Sequence, residues 1–280
     1  MKIFKPFALL SLMLIANSIS GWAQSRGSLV FETKQWQHDY AISNSSFSPK
    51  YKHEIKLSYA SAGDEKVKNF VNREIIITAL GEKYGNLSTE QAVEKYLTDK
   101  TNLYVKDIQK EYNEDKQRTS VPVKDLIRRY SYSMKFSTQL LSYWNSMLVY
   151  QFTWFDSKYG GNGLIGSQYV NLDLYNFKVL TYHDIFKKGT DSQVTQLIKE
   201  SMLEYFGVES EEEIKDLGAD ITRLKPAEKF VLEPKGIRFI YEPYELNSDA
   251  RGDLNITIPY SALKQYMNTN NTAIRMIVAK

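Results

Sequence analysis

The stretch FVLEPKGIRFIYEPYEL, Phe230–Leu246, with its continuation LNITIPYSALKQYM, Leu254–Met267, decides how this chain is read. Lys229–Glu233, Ile237–Tyr241 and Leu254–Ile258 are short apolar runs rich in β-branched and aromatic residues. They are separated by Pro234-Lys235-Gly236 and by a polar segment holding Asn247-Ser248-Asp249 and Arg251-Gly252-Asp253. That alternation of apolar runs with turn residues predicts three strands joined by hairpin connections. Arg251-Gly252-Asp253 spells an adhesion tripeptide, but between two strands it reads as a turn in which Gly252 supplies backbone freedom. Pro259 ends the third strand and Ser261 helps start a helix over Tyr260–Met267, so the unit is strand, turn, strand, helix.

Upstream, Asp191 or Ser192 caps a helix whose Val194, Leu197, Ile198, Met202 and Tyr205 share one face and which ends at Gly207. The acidic run Glu209–Glu213 starts a short helix, where negative charge complements the dipole. Earlier still, Met147–Phe155 is apolar on both faces and predicts a central strand. A turn, Gly160-Gly161-Asn162-Gly163, separates it from a strand over Tyr169–Leu174. From Arg128 to Ser137 apolar and polar residues alternate, which predicts a strand buried on one face. Adjacent strands with short turns favour antiparallel meanders.

The first third alternates differently. Leu29–Phe31 and Tyr51–Tyr59 read as strands, the second with His53, Ile55, Leu57 and Tyr59 on one face and Lys52, Glu54, Lys56 and Ser58 opposite. Asp64 caps a helix carrying Val67, Phe70, Val71 and Ile75 and stopping at Gly81. Ser88 with Gln91 forms a capping box for another, striped by Ala92, Val93, Tyr96 and Leu97. The charged run Lys106–Arg118 reads as a solvated helix end and loop, and Ala273–Val278 as a final strand. Strands paired locally with helices to one side predict an α+β protein: antiparallel sheets with helices packed on one side, in two intimately packed subdomains, 24–158 and 159–280.

Residues 1–23 read as a cleavable secretory signal. Lys2 and Lys5 precede an apolar run from Phe7 to Ile19, and Gly21 and Ala23 suit a peptidase that cuts before Gln24. The apolar run is short of the roughly 20 residues that span a bilayer, so no membrane span is expected after signal cleavage. Without cysteine there is no lipoprotein anchor, disulfide or thiolate metal site. The expected location is periplasmic or secreted. Removing Lys2 and Lys5 leaves 34 basic against 33 acidic side chains in the mature chain, and this balance gives nucleic acid no purchase. The 20 tyrosines suit half-buried strand faces and wet binding surfaces alike.

No catalytic constellation stands out. His38, His53 and His183 lack metal-ligand spacing, and no Gly-x-Ser-x-Gly elbow or phosphate loop occurs. Gly161-Asn162-Gly163-Leu164-Ile165-Gly166 matches the dinucleotide fingerprint in letters, but a strand rather than a helix follows it. No cofactor and no metal are expected. Glu242 and Glu245 are the one carboxylate pair worth testing as a glycosidase pair.

Taken together, Tyr159-Gly-Gly, Asn171-Leu-Asp-Leu, Leu180-Thr-Tyr-His-Asp-Ile-Phe, Gly236-Ile-Arg-Phe-Ile-Tyr, Pro243-Tyr-Glu and Ile258-Pro-Tyr-Ser-Ala-Leu resemble a bacterial envelope family of unknown function. That family occurs in the extracytoplasmic region of lysozyme-sensing anti-sigma factors and in the non-catalytic region of some peptidoglycan deacetylases. Its Gly-Gly turn often continues Ala-His, where this chain has Asn162-Gly163, so no role passes to a histidine there. Only Met1–Pro6 precede the apolar run, so a cytosolic sigma-binding segment is not expected.

The resemblance implies a non-enzymatic envelope binding protein whose ligand is a cell-wall glycan or a lysozyme-like muramidase. The alternative is a carboxylate-dependent enzyme acting on envelope polysaccharide. The expected binding surface is the connection Tyr241–Gly252, with Tyr241, Glu242, Tyr244, Glu245, Asp249 and Arg251, beside the turn carrying Tyr159 and Asn162. Gly160, Gly161 and Gly252 act as turn glycines. Tyrosines there would stack on sugars, and the acidic residues would face a cationic muramidase.

Overall fold

In a computed structural model of the chain, residues 28–279 are described except for 44, 46, 119–120, 159–160 and 247–251. The secretory signal expected over 1–23 therefore lies outside the described residues. The architecture is α+β, and the described residues form a six-stranded sheet whose strands lie side by side in sequence order and a separate three-stranded sheet, likewise in sequence order. The described residues fall into two compact units. One takes them from Met1–Gln139 and Gln151–Ser167, the other from Leu140–Tyr150 and Gln168–Lys280. No helix among the described residues is long and apolar enough to cross a membrane.

The first unit begins with β1 (Val30–Ala41) paired antiparallel to β2 (Lys50–Ala62). Alternation in β2 works as the sequence predicts: Tyr51, His53, Ile55, Leu57 and Tyr59 are buried and the residues between them are not. Helix α1 (Glu65–Leu80) starts where the Asp64 carboxylate accepts from the N–H groups of Lys66 and Val67. Helix α2 (Thr89–Gln117) starts on the Ser88–Gln91 capping box. It runs unbroken through the segment read as helix end and loop, because Tyr104, Ile108 and Tyr112 recur every four residues and bury a continuous stripe.

Helix α3 (Val123–Tyr130) takes up Arg128 and Tyr130, which the alternation of the sequence assigns to a strand. Pro122 pre-sets the entry into this helix, and Leu126 and Tyr130, four apart, pack into a core with Tyr51, Tyr104, Ile108 and Tyr112. The strand β3 starts only at Tyr132 and runs to Trp144. It pairs with β2 in parallel, Ile55 beside Phe136 and Lys56 beside Ser137. The intervening helices make this crossover possible, so the sheet is mixed where only antiparallel pairs were expected.

Strand β4 (Met147–Ser157) is the predicted central strand, with Met147, Leu148, Val149 and Tyr150 all buried. It is followed by β5 (Leu164–Asp173) and a short β6 (Lys178–Leu180), antiparallel to β5.

The second unit buries Val194, Ile198 and Met202 of α5 (Asp191–Phe206) against Ile237, Phe239, Ile256 and Ile258. Gly207 closes α5 in the left-handed conformation. Tyr205, expected on the same face, is exposed: steps of four from Val194 carry the buried stripe only to Met202. Ser210 caps α6 (Glu211–Asp216). The strands β7 (Lys229–Leu232), β8 (Gly236–Tyr241) and β9 (Leu254–Pro259) form the antiparallel sheet that the opening stretch predicts. Two small helices, α4 (Tyr182–Ile185) and α7 (Tyr260–Leu263), flank the core, and α7 is shorter than the expected Tyr260–Met267. The final segment, read as a strand, is a helix, α8 (Thr272–Val278). Asn271 caps it, and Ala273, Ile274 and Ile277 fall on one helical face.

Candidate functional site

Among the described residues of the connection between β8 and β9, Tyr241, Glu242 and Glu245 are engaged within the protein. Tyr241 is 3% exposed, and its hydroxyl donates to the Lys225 carbonyl at 2.8 Å. Burial raises its pKa well above that of a free phenol. Its ring is part of the core and is not offered to a ligand. Glu242 accepts from the Lys229 ammonium. Glu245 Oε2 accepts from the Glu242 N–H at 2.6 Å, while the Glu245 N–H donates to the Glu242 carbonyl at 3.0 Å. The Glu245 carboxylate thus closes a tight turn, and the Glu242 carboxylate is tied to β7. Tyr244 stands at the tip of that turn, 82% exposed. Gly252 adopts φ +103°, as the turn reading requires. Asp249 and Arg251 lie outside the described residues, as do Tyr159 and Gly160.

The glycine turn belongs to the first unit. The Gly161 N–H donates to the Lys158 carbonyl at 3.0 Å, and the Ser157 hydroxyl donates to the Gly161 carbonyl at 3.0 Å. Asn162 is exposed, and β5 follows directly, so the fingerprint-like letters carry no helix N-terminus.

The upstream motif residues build structure. Asn171 is buried and bonds both ways to β7: its Nδ2 donates to the Phe230 carbonyl at 2.9 Å and its Oδ1 accepts from the Leu232 N–H at 2.8 Å. Asp173, fully buried, accepts from the N–H groups of Tyr175 and Asn176 and from the Asn176 amide. Asp184 closes a capping box with Thr181 and accepts from Lys178. Its neighbour His183 is exposed and packs edge-on to Tyr182. A Cβ on Gly236 would sit 2.3 Å from the Ile258 carbonyl oxygen, so that glycine lets β8 and β9 close.

A concave surface lies in the first unit, lined by none of the residues expected to bind a ligand. A groove of about 360 Å³ lies on the side of β2 opposite its buried residues, lined by Glu54 and Lys56 of β2, Lys135 and Ser137 of β3, Thr153 and Phe155 of β4 and Ile165 of β5. Phe136 and Trp154 complete its walls. The register sets Glu54 beside Lys135 and Lys56 beside Ser137. Lys135 Nζ lies 3.3 Å from Glu54 Oε2, and Gln35 donates to Glu54 Oε1 at 3.0 Å. The Ser137 and Thr153 hydroxyls share a hydrogen bond of 2.6 Å.

Aromatic rings of β4 rest on glycines of the following turn and strand. The nearest Phe155 ring atom would be 2.3 Å from a Cβ on Gly163, and the Trp154 indole 2.2 Å from one on Gly166. A side chain at either position would have to displace the ring that rests on it. Leu164 and Ile165 beside them are 77% and 84% exposed. The signal for this face was present in the alternation of Lys52, Glu54, Lys56 and Ser58, but nothing local indicated which strand would lie alongside. Among the described residues, no three His, Asp or Glu side chains converge as a metal site would require.

Residues 183–261 match the family described as a protein of unknown function, DUF3298. The matched residues run from α4 into α7, the part of the chain built on the β7-β8-β9 sheet. Over 92% of its length the chain is similar to the whole of a crystal structure of a DUF3298 family member from Bacteroides fragilis NCTC 9343, at 25% identity and a TM-score of 0.81. A DUF3298 family protein from Pseudomonas aeruginosa PAO1 shares the fold at 12% identity, with a TM-score of 0.56 over 87% of this chain and 96% of that one. No curated protein matches the sequence. The groove lies in residues 54–165, outside the matched residues 183–261.

Proposed function

We propose that this chain is an exported, non-enzymatic binding protein of the bacterial cell envelope, with a cell-wall glycan as its ligand. The observation that carries the reading is the groove of the first unit. It sets a seated Phe155 ring, the Ser137–Thr153 hydroxyl pair and the charged heads of Lys56, Lys135 and Glu54 along one open sheet face. Sugars present apolar C–H faces that stack on aromatic rings and hydroxyls that pair with polar side chains, and such a surface meets both needs. Glu242 and Glu245 are engaged with Lys229 and with the Glu242 backbone, which speaks against their use as an acid and a nucleophile. Export rests on the N-terminal signal, and the envelope setting on the resemblance to the extracytoplasmic regions of anti-sigma factors and deacetylases.

The test is co-sedimentation of Gln24–Lys280 with purified peptidoglycan sacculi. The expected result is saturable binding that persists in moderate salt and is lost in Phe155→Ala. A protein that stays in the supernatant overturns the reading. The exposed pair Leu164 and Ile165 favours a second one, in which the partner is a protein such as a muramidase. Binding of a muramidase by a chain that ignores sacculi, abolished by Ile165→Asp, would establish it.

A further inference from the structure

We infer that the ligand of this groove is an oligosaccharide bearing a carboxylate, held by Lys56, with a neighbouring sugar stacked on Phe155. The inference rests on the glycan-binding reading above and adds the charge and length of the ligand.

The charges of the groove do not cancel. Its lining carries two ammonium groups, Lys56 and Lys135, against one carboxylate, Glu54. Both oxygens of Glu54 are engaged, one by Lys135 at 3.3 Å and the other by the Gln35 amide at 3.0 Å. Lys135 is thereby matched one to one, and among the described residues Lys56 has no carboxylate within ion-pair distance. An anionic group entering the groove meets one uncompensated cation, flanked by a hydroxyl on the next strand, since Lys56 and Ser137 are register partners. A carboxylate accepts from both donors at once, and charge-assisted bonds of this kind are stronger than neutral ones.

The strand order sets the size of the ligand. Lys56 stands on β2 and Phe155 on β4, with β3 between them. Two strand spacings separate them, roughly 10 Å. A sugar ring stacked on Phe155 therefore does not itself reach Lys56 with its carboxylate, and the acidic group belongs to an adjoining unit of a chain. The Ser137–Thr153 hydroxyl pair lies on the path and offers polar contacts to the linkage.

The experiment compares the full exported chain binding two tetrasaccharides of similar length by calorimetric titration. Hyaluronan tetrasaccharide alternates glucuronate with N-acetylglucosamine, and chitotetraose is its neutral counterpart. The expected result is about fivefold tighter binding of the acidic probe, the size that one partly exposed ion pair supplies. Lys56→Gln removes that preference, bringing the affinities for the two probes together, whereas Lys56→Arg keeps it. Equal affinity for the two probes, or a preference that survives Lys56→Gln, overturns the inference and leaves the glycan reading standing. Binding of neither probe, together with no pelleting on sacculi, overturns both. Retained circular dichroism of the variants shows that the fold is intact in each comparison.

Discussion

The side chain of Asn171 does for Phe230 what a neighbouring strand would do. Its amide donates to the Phe230 carbonyl and accepts from the N–H of Leu232, joining the end of β5 to β7 through two buried hydrogen bonds. The motif Asn171-Leu-Asp-Leu is thereby explained as architecture, since Asp173 at its other end gathers the following turn onto its carboxylate.

Replacing Asn171 by Ala leaves a buried N–H and a buried carbonyl without partners. The expected cost is about 3 kcal/mol of stability, since each unsatisfied buried group costs about 1–3 kcal/mol. Denaturant unfolding of Asn171→Ala against the parent chain measures it, and a change below about 1 kcal/mol would show that water replaces the amide.

Two glycines of the hairpin region respond differently to the same change. Gly236→Ala drives a Cβ to 2.3 Å from the Ile258 carbonyl oxygen, which is backbone and cannot step aside, so a loss of about 2–3 kcal/mol is expected. Gly252→Ala meets nothing within 4 Å and suffers only its φ of +103°, for about 1 kcal/mol. Thermal melts of the two variants should therefore rank Gly236→Ala as the less stable.

His53 makes the fold acid-sensitive. It is 2% exposed, beside Tyr51 and Tyr96, and neither ring nitrogen has a hydrogen-bond partner. Burial, then the nearby Lys100 and His38, lower its pKa from 6.5 to about 4. His38 is lowered as well, mainly by burial, with Asp39 opposing. Below pH 6.5 the unfolded chain takes up a proton that the folded His53 refuses until about pH 4. Stability therefore falls as pH drops through that window and is unaffected by this group above it. The size for His53 is of order 3 kcal/mol. His53→Leu should flatten the pH dependence of the denaturation midpoint between those limits and leave neutral-pH stability equal or higher. A slope unchanged by the substitution would place the acid sensitivity elsewhere.

The turn carboxylates provide a control on function. Glu242→Gln and Glu245→Gln keep an acceptor at each position, so stability should change by less than about 1 kcal/mol. Sacculus binding should match the parent chain, as it should for Tyr244→Ala, because none of the three lines the groove. Loss of binding in Tyr244→Ala would return the ligand site to the connection between β8 and β9.

Much of the local structure is legible without coordinates. Asp64, Ser88 and Gly207 mark helix ends because orphan N–H and carbonyl groups need particular partners there, a demand met within a few residues. The same locality makes β2, β4 and the β7-β8-β9 hairpins readable from period-two alternation and turn residues. It fails where two periods coincide. Arg128–Tyr130 alternates like a strand but sits in α3, because Leu126 and Tyr130 find a tyrosine-lined core four residues apart. Ala273–Val278 reads as a strand by composition, yet one helical face of it is what the second core accepts.

The sequence by itself thus determined the class of the protein, the position of most elements and the polar character of one face of β2. Only the tertiary structure decided that β3 would lie parallel to β2, with Lys56 beside Ser137 and Glu54 beside Lys135. It likewise showed Tyr241 buried and set Trp154 and Phe155 on glycines. Strand register between elements some eighty residues apart depends on the packing of everything between them. Local propensity carries no record of that choice, and the groove exists only because of it.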